Sequence, residues 1–139
     1  MKLVVDASVA IKWYVPEVHS ISAIRVLARE SSFFAPDLIY AEMGSTLWKK
    51  TRRGDLTRDQ AAAILEGFFD IHLEIYPSAP LADIAFSLAT SLGASFYDSL
   101  YLALAVAQDS VVITADQKFH TIVKASPLAH HVRWVADRE

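Results

Sequence analysis

Short apolar runs alternate along this chain with longer segments whose apolar residues recur at helical spacing. The strands expected from the runs are 3–6, 33–35, 71–76, 111–114 and 132–135. The first and fourth contain continuous apolar residues, which is typical of strands buried on both faces of a sheet. The third alternates apolar and polar residues, as a half-buried strand does.

Helices are predicted in the intervening segments, where apolar residues are three and four positions apart. Their expected bounds are 7–14, 21–28, 37–53, 57–69, 81–92, 96–108 and 117–124. Thr57 and Gln60 form a capping-box pattern, and Gly54 and Gly93 are expected to end helices. Strands that alternate with helices favour an α/β fold, here a three-layer α/β/α sandwich around a mainly parallel five-stranded sheet.

The composition narrows the class of protein. With 139 residues, of which 53% are hydrophobic and 21% charged, the chain is expected to be a single globular domain over 1–139. It has no cysteine, which excludes disulfides and zinc–thiolate sites and fits a cytoplasmic location. No stretch approaches the roughly 20 apolar residues of a membrane span. Because the net charge is −3, binding to nucleic acid would require a local basic patch.

Four acidic residues occupy positions where carboxylates are uncommon: Asp6, Glu42, Asp98 and Asp116. Asp6 ends the first apolar run, and Asp116 follows the fourth predicted strand. Ligands of open α/β sheets lie beyond the carboxyl ends of strands, so these two are expected in one crevice. Glu42 and Asp98 lie in largely apolar helical segments, where a carboxylate needs a neutralising partner. A divalent cation could neutralise all four.

Each acid also has a plainer explanation. Asp6 and Asp116 could be N-caps of the helices that follow them. Glu42 could lie on an exposed helix face, and Asp98 falls in a first turn, where the helix dipole favours a carboxylate. These explanations do not account for the joint placement of two acids at strand ends and two in apolar helices.

The chemistry of such a cluster suits Mg²⁺, which binds through a few carboxylates, keeps water and holds phosphate oxygens. Two such ions can activate a water and stabilise the leaving oxygen in phosphodiester hydrolysis. Ser8 and Thr114 are close in sequence to the acids and could orient a carboxylate or a bound water. Hydroxyls in such positions more often cap a helix or bond the backbone.

A short basic run, Lys49, Lys50, Arg52 and Arg53, lies at the end of the helix predicted to carry Glu42. It could contact phosphates, or it could be a solvated helix end whose cations complement the dipole.

Large aromatic residues are numerous for one small core. They are Trp13, Tyr14, Phe33, Phe34, Trp48, Phe68 and Phe69. Some are expected to be exposed at a two-fold homodimer interface. Three of these residues could instead stack on bases, although packing in the core or at an interface is the more common role: Trp13, Tyr14 and Trp48.

An ordered set of motifs resembles the PIN-domain ribonucleases, and most closely the VapC toxins of type II toxin–antitoxin pairs. The motifs are Asp6-Ala7-Ser8, Tyr40-Ala41-Glu42, the run from Tyr97 to Ala105, and the run from Thr114 to Phe119. The resemblance covers essentially the whole chain. It implies a PIN-like fold, Mg²⁺- or Mn²⁺-dependent endoribonuclease activity on RNA, a homodimer and inhibition by a small VapB-like antitoxin.

The resemblance also implies roles for particular residues. Asp6, Glu42, Asp98 and Asp116 match the family's acidic metal-binding positions, and Ser8 and Thr114 match its polar supporting positions. Some relatives carry a further acid after the last of these, but Gln117 and Lys118 follow here, so no fifth acidic ligand is expected.

Other functions fit the sequence less well. A phosphatase or phosphoreceiver on a similar sheet would carry a second acid near Asp6, where Ser8 stands. A non-catalytic binding module with a PIN-like fold would be expected to have an incomplete set of acids. A PIN-domain RNA-processing nuclease without an antitoxin remains an alternative to a toxin.

Overall fold

Five parallel strands form the centre of the computed structural model, which describes residues 2–30 and 32–137. They are β1 (Leu3–Val5), β2 (Phe33–Pro36), β3 (Leu73–Tyr76), β4 (Val112–Thr114) and β5 (Val132–Trp134). The order is β3-β2-β1-β4-β5, and every neighbouring pair is parallel. The predicted five-stranded sheet is confirmed, although its third strand begins two residues later than expected.

Seven α-helices cover the sheet in the described part of the chain and complete a three-layer α/β/α sandwich. They are α1 (Ala7–Ala10), α2 (Ser20–Arg29), α3 (Leu38–Arg52), α4 (Arg58–Phe68), α5 (Ala82–Leu92), α6 (Phe96–Ala107) and α7 (Gln117–Lys124). The first continues as a 3₁₀ turn over Ile11–Trp13. The predicted capping box is present at α4: the Thr57 side chain accepts from the Gln60 amide, and the Gln60 side chain accepts from the Thr57 amide.

The core lies where α6 packs against the middle of the sheet. Every residue of β1 is fully buried, as expected for a central strand covered on both faces. The run Leu100–Ala105 of α6 is buried as well, and this helix contacts β1, β2 and β4. Among the described residues no single helix is long and apolar enough to cross a membrane. The segments Ala79–Leu92 and Phe96–Ala107 meet the length and apolarity criteria only as a pair bent by 115°.

The topology determines where loops from different parts of the chain meet. All five strands run in the same direction, so their carboxyl ends share one edge of the sheet. β1 and β4 are neighbours, with Val4 beside Val112 and Val5 beside Ile113. The segments that leave these two strands, toward α1 and α7, therefore begin side by side.

Candidate metal centre

A cleft of about 490 Å³ opens at this edge of the sheet and holds all four predicted acids. Asp6 follows β1, Glu42 comes from α3, Asp98 from α6, and Asp116 precedes α7. The other side chains that line the cleft are Ala7, Ser8, Leu38, Ala41, Ser45, Thr46, Lys49 and Tyr97. Four elements that are distant in sequence thus present their carboxylates to one space.

Asp6 is the most buried of the four acids, with only 4% of its surface exposed. Asp6 occupies the N-cap position of α1, but its side chain makes no cap hydrogen bond there, so capping does not account for its carboxylate. Instead its Oδ2 accepts hydrogen bonds from Thr114 Oγ1 at 2.7 Å and Ser8 Oγ at 2.9 Å.

The two hydroxyls are themselves held by backbone amides. Ala115 N–H donates to Ser8 Oγ at 2.9 Å, and Asp116 N–H donates to Thr114 Oγ1 at 3.0 Å. With an amide proton directed at each oxygen, the hydroxyl proton is left to point at Asp6. Ser8 and Thr114 therefore orient this carboxylate and link the end of β1 to the end of β4.

Glu42 is oriented from the opposite wall by Tyr101, a residue that sequence reasoning did not select. Tyr101 lies on α6 with no exposed surface, and its hydroxyl donates to Glu42 Oε1 at 2.6 Å. The signal was available in principle, because a tyrosine on the buried face of an apolar helix needs a partner for its hydroxyl. The sequence alone could not say that the partner is Glu42, 59 positions away.

Asp98 and Asp116 combine local helix roles with a place in the cleft. Ser95 caps α6 by accepting from the Asp98 amide at 3.1 Å, which leaves Asp98 in the first turn, as predicted. Asp116 Oδ1 accepts from the Phe119 amide at 3.1 Å and caps α7. The N-cap explanation is therefore correct for Asp116, and it does not remove this residue from the cleft lining.

The acids of the cleft are negative charges that are buried close together and have no ion-pair partner among the described residues. Burial raises the pKa of Asp6 to about 6 against the lowering effect of its two hydroxyl donors, and the charge of Glu42 adds to the rise. Burial also raises the pKa of Asp98 to about 6, with further contributions from Asp6 and Asp116. The pKa of Glu42 is raised by burial and then by Asp98 and Asp116. Within residues 2–30 and 32–137, none of the four acids forms an ion pair.

The donor set fits a hard divalent cation that keeps part of its water shell. All the charged donors are carboxylate oxygens, which Mg²⁺ and Mn²⁺ favour. In the described part of the chain, no three acidic or histidine side chains are arranged so that they could enclose an ion by themselves. Mg²⁺ typically takes only one or two carboxylates and completes its shell with water and phosphate oxygens, so an open cluster of this kind suits it.

The basic run divides between the surface and the interior. Lys49 is exposed and lines the acidic cleft, and Arg52 and Arg53 are exposed beyond it. Lys50 is only 8% exposed and pairs with Glu17 Oε2 at 2.5 Å. The expected phosphate contact is therefore wrong for Lys50, because its ammonium group lies against the protein and is already neutralised.

A parallel α/β sandwich with a carboxylate-lined cleft at its strand ends is the architecture of a PIN-type nuclease, and the comparisons place the chain accordingly. The family model for the PIN domain matches residues 3–125. The chain therefore belongs to the PIN-domain family, and within it its curated relatives are VapC proteins. It is 37% identical over 120 residues to Ribonuclease VapC3 of Pyrobaculum aerophilum, covering 85% of this chain and 92% of that protein.

Solved structures with much lower identity share the fold. The crystal structure of PAE2754 from Pyrobaculum aerophilum matches with a TM-score of 0.72 at 23% identity, over 97% of this chain and 90% of that one. A chain of a toxin–antitoxin complex from Klebsiella pneumoniae matches with a TM-score of 0.64 at 13% identity, over 99% and 100%. The predicted PIN-like fold is confirmed.

The raised pKa of Asp98 predicts that Asp98→Asn stabilises the metal-free protein at pH 7. The folded-state pKa is about 6 against an ordinary value of 3.8, so folding is disfavoured once the pH exceeds both values. The gain should be about 1 kcal/mol after allowance for partial exposure, and it should disappear once the pH falls well below 3.8, at about pH 3. Urea unfolding in EDTA at both pH values measures it, and a pH-independent loss of stability would contradict the charge repulsion inferred here.

The Tyr101–Glu42 hydrogen bond predicts that Tyr101→Phe weakens binding of Mn²⁺ by roughly tenfold, because partners that orient a ligand typically contribute that much or more. Titration calorimetry of the metal is the measurement. Tyr97→Phe is the matched control, since Tyr97 lines the same cleft and no hydrogen bond of its hydroxyl is found among the described residues. Equal metal affinity in the Tyr101→Phe variant and the wild type would refute the positioning role.

Proposed function

We propose that this protein is a Mg²⁺- or Mn²⁺-dependent endoribonuclease and the toxin of a type II toxin–antitoxin pair. The observation that carries the proposal is the convergence of four unpaired carboxylates, from four separate elements, in one cleft at the strand ends. Membership of the PIN-domain family and the name of the VapC relative support RNA as the substrate. Action in the cytoplasm is part of the same proposal.

In this mechanism Asp6, Glu42, Asp98 and Asp116 are the residues that would hold divalent ions. When bound, such ions supply charge neutralisation for the phosphodiester and activation of the attacking water. The protein contributes orientation: Ser8 and Thr114 hold the Asp6 carboxylate, so that its Oδ1 is the oxygen left for the cleft. Tyr101 orients Glu42 in a similar way, because its hydroxyl donates a hydrogen bond to Glu42 Oε1.

Catalysis should depend on the cleft acids and not on acidic residues in general. Asp6→Asn and Asp98→Asn are each expected to lower RNA cleavage by at least about a hundredfold, because each removes a charged ligand. Excess EDTA should abolish cleavage, and added Mg²⁺ or Mn²⁺ should restore it. A gel assay on labelled single-stranded RNA measures all three effects.

Asp83→Asn is the matched control for Asp98→Asn. Asp83 lies in the first turn of α5, as Asp98 does in α6, but it is exposed and outside the cleft. It should retain full activity. Undiminished cleavage by the wild type in EDTA, or by both cleft variants, would refute the metal-dependent mechanism.

The same unpaired carboxylates suggest how an antitoxin would act. An Arg or Lys from its tail could enter the cleft in place of the metal, and Arg could pair a carboxylate bidentately. Apolar side chains of the tail could cover the groove between α3 and α4, which is about 370 Å³ in volume and lined in part by Leu47, Ala61 and Leu65. The toxin–antitoxin complex with the same fold gives this proposal its partner class.

Competition between inhibitor and metal follows from this arrangement. The apparent affinity of the cognate antitoxin, sought in the neighbouring reading frame, should fall as Mg²⁺ is raised, and Asp98→Asn should weaken it further. Titrations of the antitoxin against the toxin at low and high Mg²⁺ measure both effects. If the antitoxin affinity changes neither with Mg²⁺ concentration nor with Asp98→Asn, the antitoxin inhibits by binding outside the cleft.

A homodimer is proposed as well, and the exposed apolar side chains that support it extend beyond the expected set. Of the seven aromatic residues predicted as surplus, Phe33 and Phe68 are fully buried, whereas Trp48 and Phe69 are exposed. Large apolar side chains are also exposed on α5, at Ile84 and Phe86, which supports an interface there. Sedimentation that shows only monomer at micromolar concentration would contradict it.

A further inference from the structure

An exposed tryptophan lies among cations beside the acidic cleft. Trp48 on α3 is 56% exposed, and the guanidinium of Arg52 lies 5.0 Å from the centre of its ring. These two residues line a shallow surface cavity of about 240 Å³ together with Lys49 and Arg53. We refer to these four residues as the platform. A half-exposed indole is costly in water, and packing within this chain does not account for it.

The platform is continuous with the cleft. Lys49 lines both of them, and it follows Glu42, Ser45 and Thr46 along the same helix. Positions 42, 45 or 46, 49, and 52 or 53 are three or four residues apart, so they share one face of α3. From Glu42 to Arg53 the helix rises roughly 16 Å. One helix face therefore leads from the carboxylates to the cations of the platform, and Trp48 lies about 100° round the helix from Lys49, where its ring contacts Arg52.

The cations of the platform are available to an anion. Neither Lys49 nor Arg52 forms an ion pair among the described residues, and the Arg52 guanidinium lies over the Trp48 ring. Arg53 is 3.4 Å from Asp55, but both side chains are more than half exposed, so the pair is weak. Favourable interaction with the C-terminal dipole of α3 can explain the cations. It does not explain why the side chain between them is an exposed tryptophan.

We infer that a single-stranded segment of the RNA substrate leaves the acidic cleft past Lys49 and lies on the platform, where one base stacks on Trp48. Lys49, Arg52 and Arg53 would then contact phosphates on either side of that base. An aromatic face flanked by cations is the usual composition of a single-strand binding surface. The inference rests on the proposed ribonuclease function and assigns the path of its substrate.

An RNA strand fits this surface better than a polypeptide tail does. Three cations favour a polyanion, and they would repel the Arg or Lys proposed to neutralise the cleft. Trp48 also borders the apolar groove between α3 and α4, so a tail in that groove would lie beside the platform and block the RNA path. Polypeptide docking on the platform itself is the competing assignment to be tested.

Binding of a fluorescein-labelled, single-stranded RNA of mixed sequence should therefore depend on the Trp48 ring. Fluorescence anisotropy in an Asp98→Asn background avoids cleavage during the measurement. Trp48→Ala should weaken binding roughly tenfold, and Trp48→Phe should recover most of the loss, because a smaller ring still stacks. A duplex RNA should show no dependence on Trp48, since its bases already stack on one another.

The cations should determine the salt dependence. Lys49→Ala, Arg52→Ala and Arg53→Ala combined should lower the slope of log affinity against log salt by about 2, since each phosphate contact on a single strand contributes about 0.7. Arg29→Ala is the matched control for Arg52→Ala, because Arg29 is an exposed arginine in the last turn of α2, outside the cleft and the platform. It should leave both affinity and slope unchanged.

Unchanged RNA affinity in Trp48→Ala, or equal weakening by Trp48→Ala and Trp48→Phe, would overturn the stacking assignment. Unchanged RNA affinity together with a weaker antitoxin complex would assign the platform to a polypeptide instead. These readouts are separate from catalysis. A wild-type protein that cuts no RNA with Mg²⁺ or Mn²⁺ would refute the proposed function, whereas a protein that cuts RNA but binds it independently of Trp48 would refute only the path.

Discussion

The burial of the Asp6 charge is the constraint on which the rest of the site depends. A carboxylate with almost no exposed surface needs hydrogen-bond donors, and Asp6 obtains them from Ser8 and Thr114. Ser8 lies just after β1, whereas Thr114 is the last residue of β4. Those hydroxyls can serve only while β1 and β4 lie side by side and in register. The orientation of Asp6 in the cleft therefore depends on the pairing of β1 with β4 at the middle of the sheet.

Hydrogen bonds orient Asp6, but they do not neutralise it. Glu42, Asp98 and Asp116 face the same cleft and add like charge. Burial raises the pKa of Asp6, Glu42 and Asp98, and repulsion from neighbouring carboxylates raises it further. Since none of these acids forms an ion pair with a Lys or Arg of the described residues, the compensation is left to something that binds. In the proposed function a divalent cation offsets this negative charge, and a cationic side chain of the inhibitor does so in its place.

The sequence predicted the elements well because their signals are local. Continuous apolar residues marked β1 and β4, and the capping box marked the start of α4. The acids could be chosen because strand ends and apolar helix surroundings are also visible in sequence. Tyr101 could not, since its importance comes from a hydrogen bond to Glu42 across the cleft. Only the tertiary fold, which brings residues of α3 and α6 to the same cleft, reveals that contact.

The basic run shows why neighbouring residues could not be separated in the sequence. Lys49 and Lys50 have the same charge and adjacent positions, yet about 100° of helix rotation sends one to the cleft and the other to Glu17. Trp48, one position before Lys49, points in a third direction and is exposed, whereas packing in the core or at an interface was the more common expectation for it. α3 thus carries Glu42 at one end of its exposed face and cations at the other. A protein of net charge −3 can bind a polyanion only through such a local separation of charge, with the cleft acids neutralised by a bound cation. In the proposed function, the charge pattern of α3 would therefore couple metal binding to the approach of the RNA.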